Sequence, residues 1–256
     1  MLGAIAGDIV GSVYEARPIK TRDFPLFSPA SRITDDSVLT VAVAYALMTD
    51  GDYAAAVRSI GRRYPNAGYG GSFVHWLFAD DAMPYNSWGN GSAMRVSPVG
   101  FAMDTREAVM REARRSAEIT HNHPEGIKGA QATALSVWMG RQGQEKAEIR
   151  QAVASAFGYD LSRTLADIRP GYGFDVSCQG SVPEAIIAFL ESESFEDAIR
   201  NAVSLGGDSD TLACIAGGIA HAYYGEVPAD IEKTVFDRLP EDLAAIVRDF
   251  SRQYGI

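Results

Sequence analysis

The chain predicts an all-α fold, a compact bundle of helices packed around one centre, and three observations carry that reading. Apolar residues recur at helical spacing through most of the 256 residues. No stretch of about six or more residues alternates apolar and polar side chains as a half-buried strand would. Glycines also stand inside the apolar runs, where they weaken a helix unless something packs closely against them.

The first helix is read from M-L-G-A-I-A-G-D-I-V-G, in which Gly3, Gly7 and Gly11 recur every four residues and share one face. Each costs about 1 kcal/mol relative to alanine, so close approach by another helix or a ligand is the expected compensation. Asp8 and Glu15, seven residues apart, also share a face. An isolated acid in a helix is most simply a solvent-facing charge, although Glu15 stands out because it ends the glycine-faced helix. Further helices are read over 37–48, 105–117, 126–139, 183–191, 195–203 and 211–224, with Gly217 and Gly218 inside the last. Two stretches dense in Gly, Asn and Pro, 62–72 and 85–98, read as ordered loops. No low-complexity linker, long charge block or repeat divides the chain, so one domain over 1–256 is expected.

With 33 acidic against 23 basic residues the net charge is -10, which argues against an extended nucleic-acid or anionic-membrane surface. Cys178 and Cys214 have neither zinc-knuckle spacing nor the number of a disulfide framework. No basic leader precedes the first helix, and no apolar run reaches the ~18 residues of a membrane span. A reduced, cytoplasmic setting is expected.

Two motifs carry the chemistry. T-D-D-S places Thr34, Asp35 and Asp36 before one apolar helix, and G-G-D-S-D-T places Asp208, Asp210 and Thr211 before another. Either alone reads as an ordinary N-cap, since Asp, Ser and Thr accept hydrogen bonds from a helix's first turn. Together they form near-mirror sets of hard oxygen ligands with no lysine or arginine inside either motif. Carboxylates gathered in a helical core repel one another, and without His or Cys partners the fitting compensation is Mg²⁺, Mn²⁺ or Ca²⁺ rather than zinc. The loops A-G-Y-G-G-S and S-W-G-N-G-S leave backbone N–H groups uncovered, as phosphate binding requires, though simple turns explain each one separately. Tyr69 and Trp88 offer flat faces within them. In T-H-N-H-P, His121 and His123 lack a nearby cysteine and read as structural or phosphate-contacting, and nothing resembles a nucleophile elbow.

In this order, G-D-I-V-G-S-V-Y-E, T-D-D-S, G-N-G-S-A-M-R, T-H-N-H-P and G-G-D-S-D-T-L-A-C-I-A-G-G resemble the ADP-ribosylglycohydrolase family from Gly3 to about Gly225. The resemblance implies an all-α fold around a binuclear Mg²⁺ or Mn²⁺ centre, two ions in all, that removes ADP-ribose from a protein or small-molecule acceptor. Carried over by position, Thr34, Asp35, Asp36, Asp208, Asp210 and Thr211 match the metal-ligand motifs, and Glu15 matches a glutamate beside the scissile bond. Glu15 or Asp36 would then manage the proton. Gly68, Gly70, Gly71, Ser87, Trp88, Asn90, Gly91, Ser92 and His121 would meet the phosphates and the distal ribose. The chain is shorter than the animal relatives, and its G-F-D-V-S-C-Q-G-S-V-P segment resembles a compact bacterial branch whose acceptor does not follow from it. A monomer is expected. Rival readings are a catalytically inactive ADP-ribose or metal-binding module, such as the crystallins of this fold, and a metal-dependent phosphoesterase that cuts the diphosphate.

Overall fold

A computed structural model describes all residues 1–256. It is all-α, as expected. The helices in chain order are α1 (Leu2–Gly11), α2 (Asp35–Met48), α3 (Tyr53–Gly61), α4 (Gly71–Phe78), α5 (Gly91–Met94), α6 (Ser97–Ala102), α7 (Arg106–Glu118) and α8 (Pro124–Arg141). They continue as α9 (Lys146–Phe157), α10 (Leu165–Ile168), α11 (Cys178–Leu190), α12 (Phe195–Val203), α13 (Ser209–Tyr224), α14 (Ala229–Phe236) and α15 (Glu241–Tyr254). The only β-type pairing is an isolated bridge between Gly89 and Ser177. No helix is long and apolar enough to cross a membrane.

Helix α1 is buried along its whole length and packs above all against α13. The glycine face of α1 is the reason the two axes lie so close. A Cβ on Gly3 would overlap the carbonyl of Gly217, one on Gly7 that of Ala213, and one on Gly11 that of Ser209. Rising numbers on α1 meet falling numbers on α13, so the helices run antiparallel. The C-terminal end of α1 therefore meets the N-terminus of α13, which carries Asp208 and Asp210.

Helix α2 lies across this pair with Thr34 as its cap, whose Oγ1 accepts from the N–H of Asp36. Helices α11 and α12 complete the main core around α13, and a smaller apolar cluster joins α2, α3, α6, α7 and α8 through residues such as Val43, Val99, Val109 and Ala134. The helix-free connection between α1 and α2 is tied down at both ends. Ser12 Oγ accepts from the N–H of Arg32 at 3.2 Å, and Lys20 Nζ donates to the carbonyls of Tyr172 and Leu205.

Three local readings change. The 62–72 loop ends sooner than its glycines suggest, because Gly70 caps α4 in extended conformation and the apolar run behind it continues helical. The 85–98 stretch holds the short α5 and the start of α6. Helix α11 begins five residues before Pro183, where Ser177 accepts from the N–H of Gly180, so the proline sits inside a helix whose start is fixed by a cap.

Replacing Gly7 by alanine drives a methyl group into the α13 backbone and is expected to destabilise the protein by about 3 kcal/mol or more. Gly171→Ala, where a Cβ meets nothing within 4 Å, is the control, with a change of roughly 0.5 kcal/mol or less. Urea unfolding of the two variants measures the difference. Equal stabilities would show that α1 and α13 are not in backbone contact.

Candidate active site

The helix termini of α1, α2 and α13 converge on a cleft of about 640 Å³, within the size range of small-molecule sites. Asp8 lies behind its lining, fully buried. Its Oδ1 accepts from Thr34 Oγ1 at 2.6 Å, and its Oδ2 accepts from the N–H groups of Thr34 and Ser37 at 2.9 and 3.1 Å and from the Ser37 hydroxyl. The Thr34 hydroxyl thus spends its proton on Asp8, while its oxygen accepts from the Asp36 N–H at 3.3 Å. The expected solvent-facing Asp8 is corrected by this arrangement: it is the acceptor that binds the start of α2 to α1.

Two groups of three carboxyls stand close enough for one ligand atom of each residue to lie within 4.8 Å of the others. One joins Asp8, Asp36 and Asp210, and the other joins Glu15, Asp208 and Asp210, so Asp210 belongs to both. Asp35 belongs to neither three-residue group; its Oδ1 faces Gly68 across the cleft, and its backbone N–H is held by the Ala67 carbonyl at 2.9 Å. Thr211 Oγ1 reaches Asp36 Oδ2 at 3.4 Å. The simple capping reading fails at α13, where Asp208 makes no capping bond and its Oδ2 accepts from Asn90 Nδ2 at 2.7 Å.

This density of acid raises the carboxyl pKa values. Burial, then the Asp210 charge, pushes Asp35 up to about 8 and Asp8 up to about 7, the latter held down in part by its hydrogen bonds. The same two causes lift Asp36 and Asp208 well above the carboxylate range and raise Glu15. Asp36 Oδ1 is buried without any hydrogen-bond partner. A buried acceptor left unpaired among hard oxygen donors fits a divalent cation. Asp8, whose oxygens are already occupied by protein donors, fits the layer behind one.

The cleft walls come from the two glycine-rich loops and the 172–178 segment. Gly68, with φ of +110°, and Gly70 and Gly71, where a Cβ would meet nothing within 4 Å, line one side. Ser87, Trp88, Asn90 and Gly91 line the other, with Trp88 54% exposed and edge-on to His123. Ser92 departs from expectation: its side chain is fully buried and donates to the Gly126 carbonyl at 2.7 Å, so it braces α5 against α8 and does not line the cleft. His121 is buried at the cleft wall, and burial together with the Arg95 charge holds its pKa well below the usual range. His123 turns away to cap α8, accepting from the Glu125 N–H.

The structure also brings in residues that the sequence reading passed over. Tyr85 packs near the His121 ring, Arg95 is a buried part of the lining, and Arg32, Phe174 and Val176 stand at the rim. Arg95 had a signal, since it ends G-N-G-S-A-M-R, and Asp8 had one as the single charge in an otherwise apolar helix. Phe174 and Val176 had none, because exposed apolar residues in a loop do not reveal what lies beside them.

A family model described as ADP-ribosylglycohydrolase matches residues 1–255. The chain is 28% identical to ADP-ribosylhydrolase ARH3 of Gallus gallus, over 91% of this chain and 87% of that protein. It is 27% identical to ADP-ribosylhydrolase ARH3 of Homo sapiens, over 88% and 84% respectively. Similarity to ADP-ribosylarginine hydrolase Tri1 of Pseudomonas putida is 26% over 99% of this chain and 78% of that one. A solved structure described as an ADP-ribosylglycohydrolase-related protein complex shares the fold, with a TM-score of 0.72 at 24% identity, over 99% of this chain and 97% of that one.

The raised carboxyl values give a signed prediction. A group that titrates near 3.8 when unfolded and near 7 or 8 when folded binds more protons in the folded state between those limits, so the cation-free protein loses stability as pH rises from about 4 to 8. A cation that binds the ionised form offsets that loss. Thermal unfolding in chelator is expected to show a falling Tm over this window, and added Mn²⁺ or Mg²⁺ should raise Tm more at the alkaline end than at the acid end. A cation effect independent of pH would contradict the coupling.

Proposed function

The chain belongs to the ADP-ribosylglycohydrolase family, and from that premise we propose that it hydrolyses the glycosidic bond joining ADP-ribose to an acceptor, using Asp36, Asp208 and Asp210 with Thr34, Asp35 and Thr211 to hold two divalent cations, Mg²⁺ or Mn²⁺. The observation that carries the site assignment is the sharing of Asp210 between two groups of three carboxyls, one fully buried and one including half-buried Glu15, at the end of a glycine-lined cleft. When bound, the cations would neutralise the carboxylates and supply Lewis acidity and an activated water to the anomeric centre.

The protein's own residues do the rest. Glu15, half-buried beside Asp208 and Asp210 with a raised pKa, is placed to hold a proton on its carboxyl oxygen and pass it at the acceptor atom as the bond breaks. Asp36 is the less suitable proton carrier, being 2% exposed and enclosed by Thr34 and Thr211. Gly68, Gly70 and Gly71 let the ligand approach the backbone and the N-terminus of α4, where N–H groups suit diphosphate oxygens. Asn90 acts through Asp208, fixing one of its carboxyl oxygens. Anchoring the distal part of the ligand in this way turns remote binding energy into alignment of the anomeric carbon, which passes through an oxocarbenium-like state. Acceptors in this reading are ADP-ribosylated proteins or small molecules.

The test is hydrolysis of defined arginine-linked and serine-linked ADP-ribosyl substrates, with products identified by mass spectrometry. Intact ADP-ribose should be released with divalent cation and not with excess chelator. Asp36→Asn and Asp210→Asn should each lower kcat by about a thousandfold or more, and Glu15→Gln should lower kcat with KM little changed. AMP as the product would replace this reading with the phosphoesterase one, and full activity in the Asp210 variant would remove the metal assignment.

A further inference from the structure

One buried cation at the cleft has no ion-pair partner. Arg95 is fully buried, and its Nε and Nη1 have no hydrogen-bond partner. Its Nη2 donates to the Ser116 carbonyl in the last turn of α7 at 3.0 Å and to Thr120 Oγ1 at 2.9 Å. That same hydroxyl oxygen lies 2.7 Å from Nδ1 of His121.

Counting protons gives the direction of the second bond. A guanidinium only donates, so Thr120 Oγ1 accepts from Arg95. The single proton of the hydroxyl then has one acceptor within reach, Nδ1 of His121. Nδ1 is therefore the bare ring nitrogen, and in the neutral ring Nε2 carries the hydrogen. Nε2 points toward the 89–91 turn, where a Cβ on Gly91 would stand 3.1 Å away and one on Gly89 3.6 Å away. No acceptor in the protein takes its hydrogen. The glycines leave the space between this N–H and the cleft free of side chains.

We propose that Arg95 and Thr120 form a positioning relay that locks His121 in its Nε2–H tautomer and presents that hydrogen, across Gly89 and Gly91, as a neutral donor to an oxygen of the bound ADP-ribosyl group. The identity of the ligand rests on the function proposed above; the tautomer rests on the hydrogen bonds alone. Arg95 is too enclosed to reach the ligand through its unpartnered nitrogens, so it acts through Thr120. An imidazolium would place a second cation beside Arg95 and two donors around the Thr120 oxygen, leaving the hydroxyl proton without an acceptor. A neutral donor also keeps its direction fixed, whereas a ring free to change tautomer would offer an acceptor to the same oxygen part of the time.

Long-range ¹H–¹⁵N correlation spectra of ¹⁵N-histidine-labelled protein at neutral pH read the tautomer directly. The expected wild-type result for His121 is a protonated Nε2 and an unprotonated Nδ1. Thr120→Val keeps the volume and removes the hydroxyl, and should release the ring into a mixture of tautomers and weaken ADP-ribose binding roughly three- to tenfold by calorimetry. Thr120→Ser should restore both. An Nδ1–H or an imidazolium in the wild type overturns the relay, as does an unchanged spectrum in the valine variant. Should the valine variant not fold, the wild-type spectrum still decides the tautomer. An altered tautomer with unaltered affinity overturns the ligand contact. Absence of hydrolysis of every ADP-ribosyl substrate would count against the function above while leaving the spectral result standing, so the two failures are distinguishable.

Discussion

The antiparallel contact between α1 and α13 is the constraint on which the rest of the molecule depends. Three glycines on α1 bring the backbones together where any Cβ would overlap a carbonyl. That contact sets both the axial offset and the rotation of the two helices. It therefore decides that Asp8 and Glu15, on one helix and just beyond its end, face Asp208 and Asp210 at the mouth of the other. The helical cost of each glycine is about 1 kcal/mol, small beside what a shift of one turn would do, since a rise of about 5.4 Å per turn would separate the carboxyls beyond any shared ligand. Core packing and site geometry are thus one problem solved by the same residues.

Bringing acids together creates a second problem, which the protein solves differently for different members of the cluster. Asp8 is surrounded by protein donors: two backbone N–H groups and two hydroxyls satisfy it, and it serves to dock α2. Asp36 keeps one oxygen unpaired in a buried setting, a state that a neutral core would not tolerate without cost. The contrast separates a carboxylate satisfied by protein donors from one with an oxygen left unpaired. Charge repulsion alone does not make that separation, because burial and Asp210 push both values upward.

How much of this was legible beforehand follows from the range of each interaction. Helical periodicity, the cap at Thr34 and the glycine face of α1 are local patterns, and the structure repeats them. The pairing of T-D-D-S with G-G-D-S-D-T was visible as chemistry, since only their composition had to match. What stayed hidden depends on partners distant in sequence. Asp8 reads as a surface acid until Thr34 and Ser37 are set against it, and Ser92 reads as a loop ligand until Gly126 takes its proton. Helix α4 was masked because two glycines, Gly70 at the cap and Gly71 at the first helical position, precede its apolar run. Asp35 stands beside Gly68 and outside both three-carboxyl groups, a placement that no local pattern encodes.

The floor and the rim of the cleft are held by interactions of different strength. The floor is fixed by backbone contact between buried helices. The rim is joined by a few hydrogen bonds: Asn90 N–H to the Val176 carbonyl at 2.8 Å, Cys178 N–H to the Trp88 carbonyl at 2.9 Å, and the Gly89 to Ser177 bridge. Its side chains, Trp88, Phe174 and Val176, are more than half exposed and bury little core area. Replacing them costs little stability, because surface substitutions away from packed contacts usually change it by about 0.5 kcal/mol or less. Replacing a residue of the floor disturbs α1, α2 and α13 together. The rim side chains can therefore vary at little cost to stability, whereas a change in the floor disturbs the packing of three helices. The backbone bonds of the 88–90 turn, which do not depend on the rim side chains, keep Gly89 and Gly91 in place before His121 while the rim changes.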